Sequence, residues 1–284
     1  VENNKAASAP FASVGLEESQ PTSPAGFTAD GKTLYWVDSR GRDTAALVAQ
    51  DVASGKTRVM AEDARADIGG GIANPRTGEL EAYSVNYLRN VWKPVGKAIA
   101  ADLAFLRSQL KGDFGVTSRT TDDRLWVVGA ADADRPSSTY LYDRGAKKLT
   151  KLFDSRPALA GLPLSPMQTL EIKSRDGLTL PSYLTLPPGS DTNADGRPEK
   201  AVPMVLFVHG GPWARDGYGY NPYHQWLANR GYAVMSVNFR ASTGFGKKFL
   251  SAGNGAWGRE MQNDLLDAVD WAVKNGITTD DKVA

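Results

Sequence analysis

A chain of 284 residues is long enough for two domains. Apolar residues make up 41% and charged ones 23%, and 33 Lys+Arg against 32 Asp+Glu leave almost no net charge, which argues against nucleic acid or an anionic membrane as the main partner, since both select a basic face. The absence of cysteine excludes disulfides and thiolate metal sites, and no stretch approaches the roughly 20 apolar residues of a membrane span.

The chain begins Val1-Glu2-Asn3-Asn4, without Met and without the basic and apolar regions of a signal peptide. The compartment, cytoplasmic or periplasmic, therefore stays open, and the start suggests processing or a fragment. Short strands follow, rich in Val, Tyr, Trp and Leu: "KTLYWVDS" (32–39), "AALVAQDV" (45–52), "RLWVVGA" (124–130) and "STYLYDR" (138–144). Asp-Gly, Ser-Gly and Arg-Gly pairs punctuate them as turns.

Asp30, Asp51 and Lys56 recur as Asp122, Asp143 and Lys148, each 92 positions on, and "NPRTGELEAYSV" (74–85) supplies a copy midway. The implied period of 46 fits a four-stranded propeller blade of about 40–50 residues; a generic β-sandwich is the alternative. About three blades fit before residue 155, fewer than closed propellers usually have, so residues 1–158 read as the C-terminal blades of a β-propeller. The middle copy carries a helical insertion, "VGKAIAADLAFLRSQL" (95–110).

"SRPALAGLPLSP" (155–166) is a proline-dense linker, and beyond it the pattern changes. "LEIKSRDGLTLPSYLTL" (170–186) reads as a hairpin pivoting on Asp176-Gly177. "VPMVLFV" (202–208) and "YAVMSVNF" (232–239) are apolar runs of the kind buried on both faces of a parallel sheet. "YHQWLANRG" (223–231) reads as a short helix. "REMQNDLLDAVDWAVKNG" (259–276) reads as a longer one, with Met261, Leu265, Ala268 and Ala272 on one face and Asn275-Gly276 as the stop. Strand and helix alternating through 159–284 predict a mostly parallel α/β sheet.

The first apolar run empties into His209-Gly210-Gly211-Pro212. In open α/β sheets ligands bind where loops leave the carboxyl ends of strands. A glycine pair there lets backbone N–H groups approach a bound oxygen, as in half of a hydrolase oxyanion hole; a tight turn with glycines for geometry alone is the other reading. Ser242 and Ser236 are the nearest serines. Ser242 reads as a loop hydrogen-bonder with no adjacent base, and His224 as a surface or interface histidine. Trp213, Tyr218, Tyr220, Tyr223 and Trp226 are expected to pack beneath the loops, and Arg215-Asp216 to form an exposed ion pair. No metal or other cofactor is implied.

"HGGPWARD", "NRGYAVMSVNFRASTGFGKKF" and "WGREMQNDLLDAVDWAVKNG", in this order, closely resemble the prolyl oligopeptidase family of serine peptidases. "TTDDRLWVVGAADADRPSSTYLYDRGAKKLTKLF" resembles the last propeller blade of bacterial members, and the likeness is strong from about residue 119 onward. It implies a β-propeller (1–158) that filters access to an α/β-hydrolase (159–284) with a Ser-Asp-His triad acting on short peptides. By position, Gly211 with Gly210 matches the oxyanion-hole donors. Asn238, Arg240, Ser242 and Gly244 match the Asn-x-Arg-Gly-Ser-x-Gly loop that shapes the site, with Ala241 replacing a glycine, and His209 and Pro212 are turn residues.

The family's nucleophile lies in Gly-x-Ser-x-Gly on the strand after the helix at 259–276, and no such motif occurs here. The acid and base follow the nucleophile in chain order. The resemblance thus implies a chain that ends before its triad, Val283-Ala284 opening the missing strand. Such a chain is expected to be inactive by itself, and poorly soluble because the "MVLFV" strand would be an open apolar edge. The rival functions are an α/β-hydrolase esterase and a non-catalytic propeller binding module. Homo-oligomerisation of a full-length enzyme stays open.

Overall fold

The computed structural model describes residues 8–284. Three antiparallel sheets come first, each a meander of consecutive strands. Strands β1 (Ser23–Phe27), β2 (Thr33–Asp38), β3 (Ala46–Asp51) and β4 (Thr57–Ala61) make the first, in that order. The second holds β5 (Ile68–Ala73), β6 (Leu80–Asn86) and β7 (Asn90–Pro94). The third holds β8 (Asp113–Arg119), β9 (Leu125–Asp132), β10 (Arg135–Asp143) and β11 (Lys148–Asp154).

The 46-residue spacing has a physical form. The amide of Thr28 donates to Thr33 O (3.0 Å), that of Asn74 to Glu79 O (2.8 Å) and that of Thr120 to Leu125 O (2.9 Å), so the same turn closes the first hairpin of each of these three sheets. In each, a short polar side chain accepts from an amide two residues on, as Asp30 does from Lys32 (3.0 Å), Asn74 from Arg76 (3.0 Å) and Asp122 from Arg124 (3.1 Å). Such side chains mimic a backbone turn. Helix α1 (Lys97–Gln109) follows β7, where the outer sheets carry a fourth strand. Ile99, Leu103 and Leu106, one helical face, are buried against Phe114, Trp126 and Tyr142 of the third sheet. Asp102 on that face is buried too, but accepts from Tyr142 Oη (2.6 Å) and pairs with Arg144 (2.7 Å) and Lys147.

The second half is a mixed sheet of β12 (Met167–Lys173), β13 (Thr179–Thr185), β14 (Met204–Leu206) and β15 (Ala233–Val237), in the order β12-β13-β15-β14. The hairpin turns at Gly177, φ +89°. Only β14 and β15 run parallel. Helices α2 (Pro222–Ala228), α3 (Lys247–Ser251) and α4 (Glu260–Lys274) complete it. Ala268 and Ala272 of α4 close over Ile172, Leu180, Leu184 and Met235, all essentially inaccessible, each large side chain contributing about 1.5–3 kcal/mol by leaving water. Gly276, φ +74°, ends α4 as its stop signal predicts.

Two expectations change here. The sheet expected to be mostly parallel is mixed, with two of its three strand pairings antiparallel, because the β12-β13 hairpin joins it through β15. The strand expected over 202–208 spans only 204–206, and although β14 is the edge strand expected of "MVLFV", it is not buried on both faces: Val205 and Leu206 are half-buried and Val208 is 43% exposed. An apolar run has the same composition at an edge as at the centre, and position is set by which strands pair. Val283–Ala284 lies parallel beside β14, Leu206 N donating to Ala284 O at 2.8 Å.

Candidate active site

The turn at 209–212 leaves the carboxyl end of β14. Gly211 has φ +138°, and a Cβ there would come within 2.7 Å of Trp213 N, so only glycine fits without a shift. At Gly210 a Cβ would meet nothing. Pro212 O accepts from Ala214 N (2.8 Å). Among the described residues, the amides of Gly210 and Gly211 have no acceptor. In front of them opens a pocket of about 360 Å³, walled by Val208, Phe239, Met261 and Leu265, with Trp257, 76% exposed, at the rim. Two backbone amides without a protein acceptor thus belong to residues that line an apolar concavity, a setting that strengthens any hydrogen bond to a partly negative oxygen. A second concavity, about 350 Å³, lies between Asp67 and Gly244, and its carboxylate already accepts from Ala45 N (2.7 Å).

His209 stacks on Phe239, centroids 4.6 Å apart, and its Nδ1 is 3.0 Å from Gly210 O. Its Nε2 lies 2.9 Å from Ser242 Oγ, so a base does adjoin that serine, contrary to expectation. The contact does not activate Ser242. The hydroxyl is fully buried and gives its one proton to Phe239 O (2.6 Å). Asn238 clamps the loop beyond the turn: its Oδ1 accepts from Asp216 N (2.8 Å) and its Nδ2 donates to Asp216 O (3.3 Å). Asp216 Oδ2 is buried without a partner, and burial pushes its carboxyl pKa up.

Arg240 points away from the turn. Its Nε and Nη2 take both oxygens of Asp264 on α4 (2.8 and 2.7 Å), its amide donates to Asp264 Oδ2 (2.9 Å), and Nη2 reaches Asp176 in the hairpin turn (2.9 Å). The hydrogen bonds it donates to the Asp264 carboxylate raise its pKa further. Arg240 thus staples the 238–244 loop to α4. Ala241 follows at φ +78°, a glycine-favoured conformation adopted here by an alanine. Gly244, φ +89°, gives its carbonyl to Asp67 N (3.0 Å), and a Cβ on it would strike Arg215 Nη1 at 2.6 Å.

Three further expectations are corrected. His224 is 1% exposed rather than a surface residue. Asn221 caps α2 by accepting from Tyr223 N (2.9 Å) and His224 N (3.3 Å), which turns His224 onto the sheet. There Nδ1 takes the Thr185 hydroxyl (3.0 Å), Nε2 donates to Ser236 Oγ (3.0 Å), and Ser236 donates to Phe207 O (3.1 Å). Trp213, Tyr223 and Trp226 are more than half exposed instead of packed beneath the loops. Arg215 makes backbone hydrogen bonds instead of an ion pair with Asp216. The partners Asp264, Asp67 and Asn86–Tyr87 had no sequence signal beyond Asp264 sitting one turn from Met261 on the apolar face of α4.

Burial lowers the His224 pKa from 6.5 to about 4. The unfolded chain therefore binds a proton that the folded one refuses as pH falls below 6.5. Stability from this group is complete above pH 6.5 and is lost toward pH 4, about 3 kcal/mol in all. Urea unfolding across this range is expected to show that loss, and His224→Gln to show a profile shallower by that amount; parallel profiles would contradict it.

The prolyl oligopeptidase family model matches residues 219–284. The chain is 59% identical over 274 residues to dipeptidyl aminopeptidase BIII of Pseudoxanthomonas mexicana, covering 96% of this chain and 40% of that protein. It is 37% identical over 279 residues to dipeptidyl peptidase family member 6 of Caenorhabditis elegans, covering 93% and 38%. The chain thus spans about 40% of the length of these curated relatives. Among solved structures, a puromycin-hydrolyzing peptidase of Mycobacterium tuberculosis matches with a TM-score of 0.69 at 18% identity, over 92% of this chain and 40% of that one. Dipeptidyl peptidase 4 of Porphyromonas gingivalis matches with 0.67 at 16%, over 93% and 36%.

Proposed function

This chain belongs to the prolyl oligopeptidase family, and on that premise we propose that it is part of a serine peptidase hydrolysing short peptides through an acyl-enzyme. Residues 1–158 are then C-terminal blades of a β-propeller and 159–284 the N-terminal part of an α/β-hydrolase domain. When a serine hydroxyl adds to the scissile carbonyl, its proton passing to the general base and then to the leaving amine, the carbonyl oxygen becomes an anion and the carbon tetrahedral. The Gly211 amide, with that of Gly210, donates to that oxygen until the amine leaves. The apolar pocket beside the turn excludes water and raises the worth of those two bonds. Asn238, Arg240 and Ser242 hold the neighbouring loop, and His209 braces the turn by stacking. The 284 residues hold no Gly-x-Ser-x-Gly, and the proposal assigns nucleophile, acid and base to polypeptide outside them.

The observation that carries this reading is the pair of unbonded amides on two glycines that line the pocket. The relatives, a dipeptidyl aminopeptidase and a dipeptidyl peptidase family member, support peptides as substrates. The test compares short aminoacyl-peptide anilides with short-chain esters on the intact enzyme. Turnover of peptides is expected; turnover of esters alone would reverse the assignment.

A further inference from the structure

Arg215 lies four residues past Gly211, yet its guanidinium binds the other half of the molecule. Nη1 donates to Asn86 O and Nη2 to Tyr87 O, each 2.9 Å, at the end of β6, while Nε reaches Asp216 O at 3.3 Å. The group lies 4.2 Å from the Phe245 centroid. Burial lowers its pKa, and its three partners are carbonyls rather than carboxylates. Three residues on, Tyr218 donates to Asp132 of the third sheet, and Arg89, paired with Asp113 at 2.8 Å, covers its ring at 3.5 Å. The loop that follows the glycine turn is thus pinned at two points to the second and third sheets.

The turn has few bonds of its own. Past Gly211 the first backbone anchors are Ala214 N to Pro212 O (2.8 Å) and Thr243 N to Ala214 O (2.9 Å), then Asp216 held by Asn238. On its entering side the turn is held by β14 and by His209 stacked on Phe239; on its leaving side its position is set by residues 214–216, and Arg215 is at their centre. A buried guanidinium deprived of two carbonyls must move to find water, because an unsatisfied buried donor is costly.

We propose that Arg215, supported by Tyr218, is a positioning residue that keeps the Gly210–Gly211 turn in donor geometry only while the loop at 86–89 is docked on it. The kinetic part of this proposal rests on the oxyanion reading above; the structural part does not. Arginine is needed because its planar fork spans two successive carbonyls, which a lysine point charge cannot.

The test uses the intact protein with Arg215→Ala, Arg215→Lys and Tyr218→Phe. Arg215→Ala is expected to speed hydrogen exchange at the Ala214, Asp216 and Thr243 amides by about tenfold or more, with β2, β3 and α4 unchanged. Peptide turnover should lose kcat by a similar factor with KM within about twofold, the signature of an interaction made only in the transition state. Arg215→Lys should recover part of both. Unchanged exchange in a folded Arg215→Ala overturns the proposal. Faster exchange with undiminished turnover upholds the pin and overturns the oxyanion reading instead. If Arg215→Ala does not fold, Tyr218→Phe, which removes one hydroxyl, decides by the same measurements: exchange at these amides a few-fold faster upholds the proposal, and no change overturns it.

Discussion

On the proposed peptidase reading, replacing Gly211 by alanine in the intact protein is expected to lower kcat for peptide hydrolysis about 100- to 1,000-fold, with KM little changed. Losing one oxyanion-hole donor costs roughly 2.7–4 kcal/mol of transition-state stabilisation, and the substitution should do so without removing any side chain. A Cβ at 211 would approach Trp213 N to 2.7 Å at a φ of +138°. The peptide plane must rotate to relieve that contact, which swings the amide away from the pocket. Gly210→Ala is the control, since its Cβ would meet nothing within 4 Å; it should lose less than about tenfold. Steady-state kinetics on one anilide substrate, with circular dichroism to confirm folding, checks both. Equal losses, or none at Gly211, would remove the turn from the chemistry.

The second large effect is on stability. Asp264→Ala should destabilise the protein by about 3–5 kcal/mol, the usual penalty for stranding one member of a buried ion pair. Asp264 is fully buried and satisfies the Arg240 side chain through two atoms and its amide through a third bond. Alanine leaves the guanidinium facing only the half-exposed Asp176. Against a typical total of about 5–15 kcal/mol, that loss is large. Replacing both partners, Arg240→Met with Asp264→Leu, should recover most of it, because the pair's own desolvation cost disappears with it. Denaturant unfolding of the single and double variants is the measurement. A single variant within about 1 kcal/mol of wild type would show that water reaches Arg240.

What could be read from the amino acids follows from the range of the interactions. The hairpin turns at Thr28, Asn74 and Thr120 are made by side chains within a few positions, so their spacing in the chain is their spacing in the fold. The apolar stripe of α4 and its glycine stop were legible for the same reason. The glycine doublet could be placed because it follows a strand directly. Arg215 could not be read, since its partners lie more than 120 positions away and are backbone carbonyls, which every residue carries. His224 was misplaced because α2 has only seven residues, too few for a helical face to declare itself. The exposure of Val208 depends on which strands neighbour β14, a property of the sheet rather than of the strand.

The two kinds of sheet assemble on different schedules. Each meander in the first half closes on neighbours a few residues away, through the same amide-to-carbonyl link, and can form as soon as its own stretch leaves the ribosome. The second-half sheet cannot: Ser182 of β13 must wait for Val237 of β15. Until then β13, whose last six residues are buried in the finished fold, stays uncovered on one edge. That interval, rather than the finished molecule, is when chaperone capture of the nascent chain should peak.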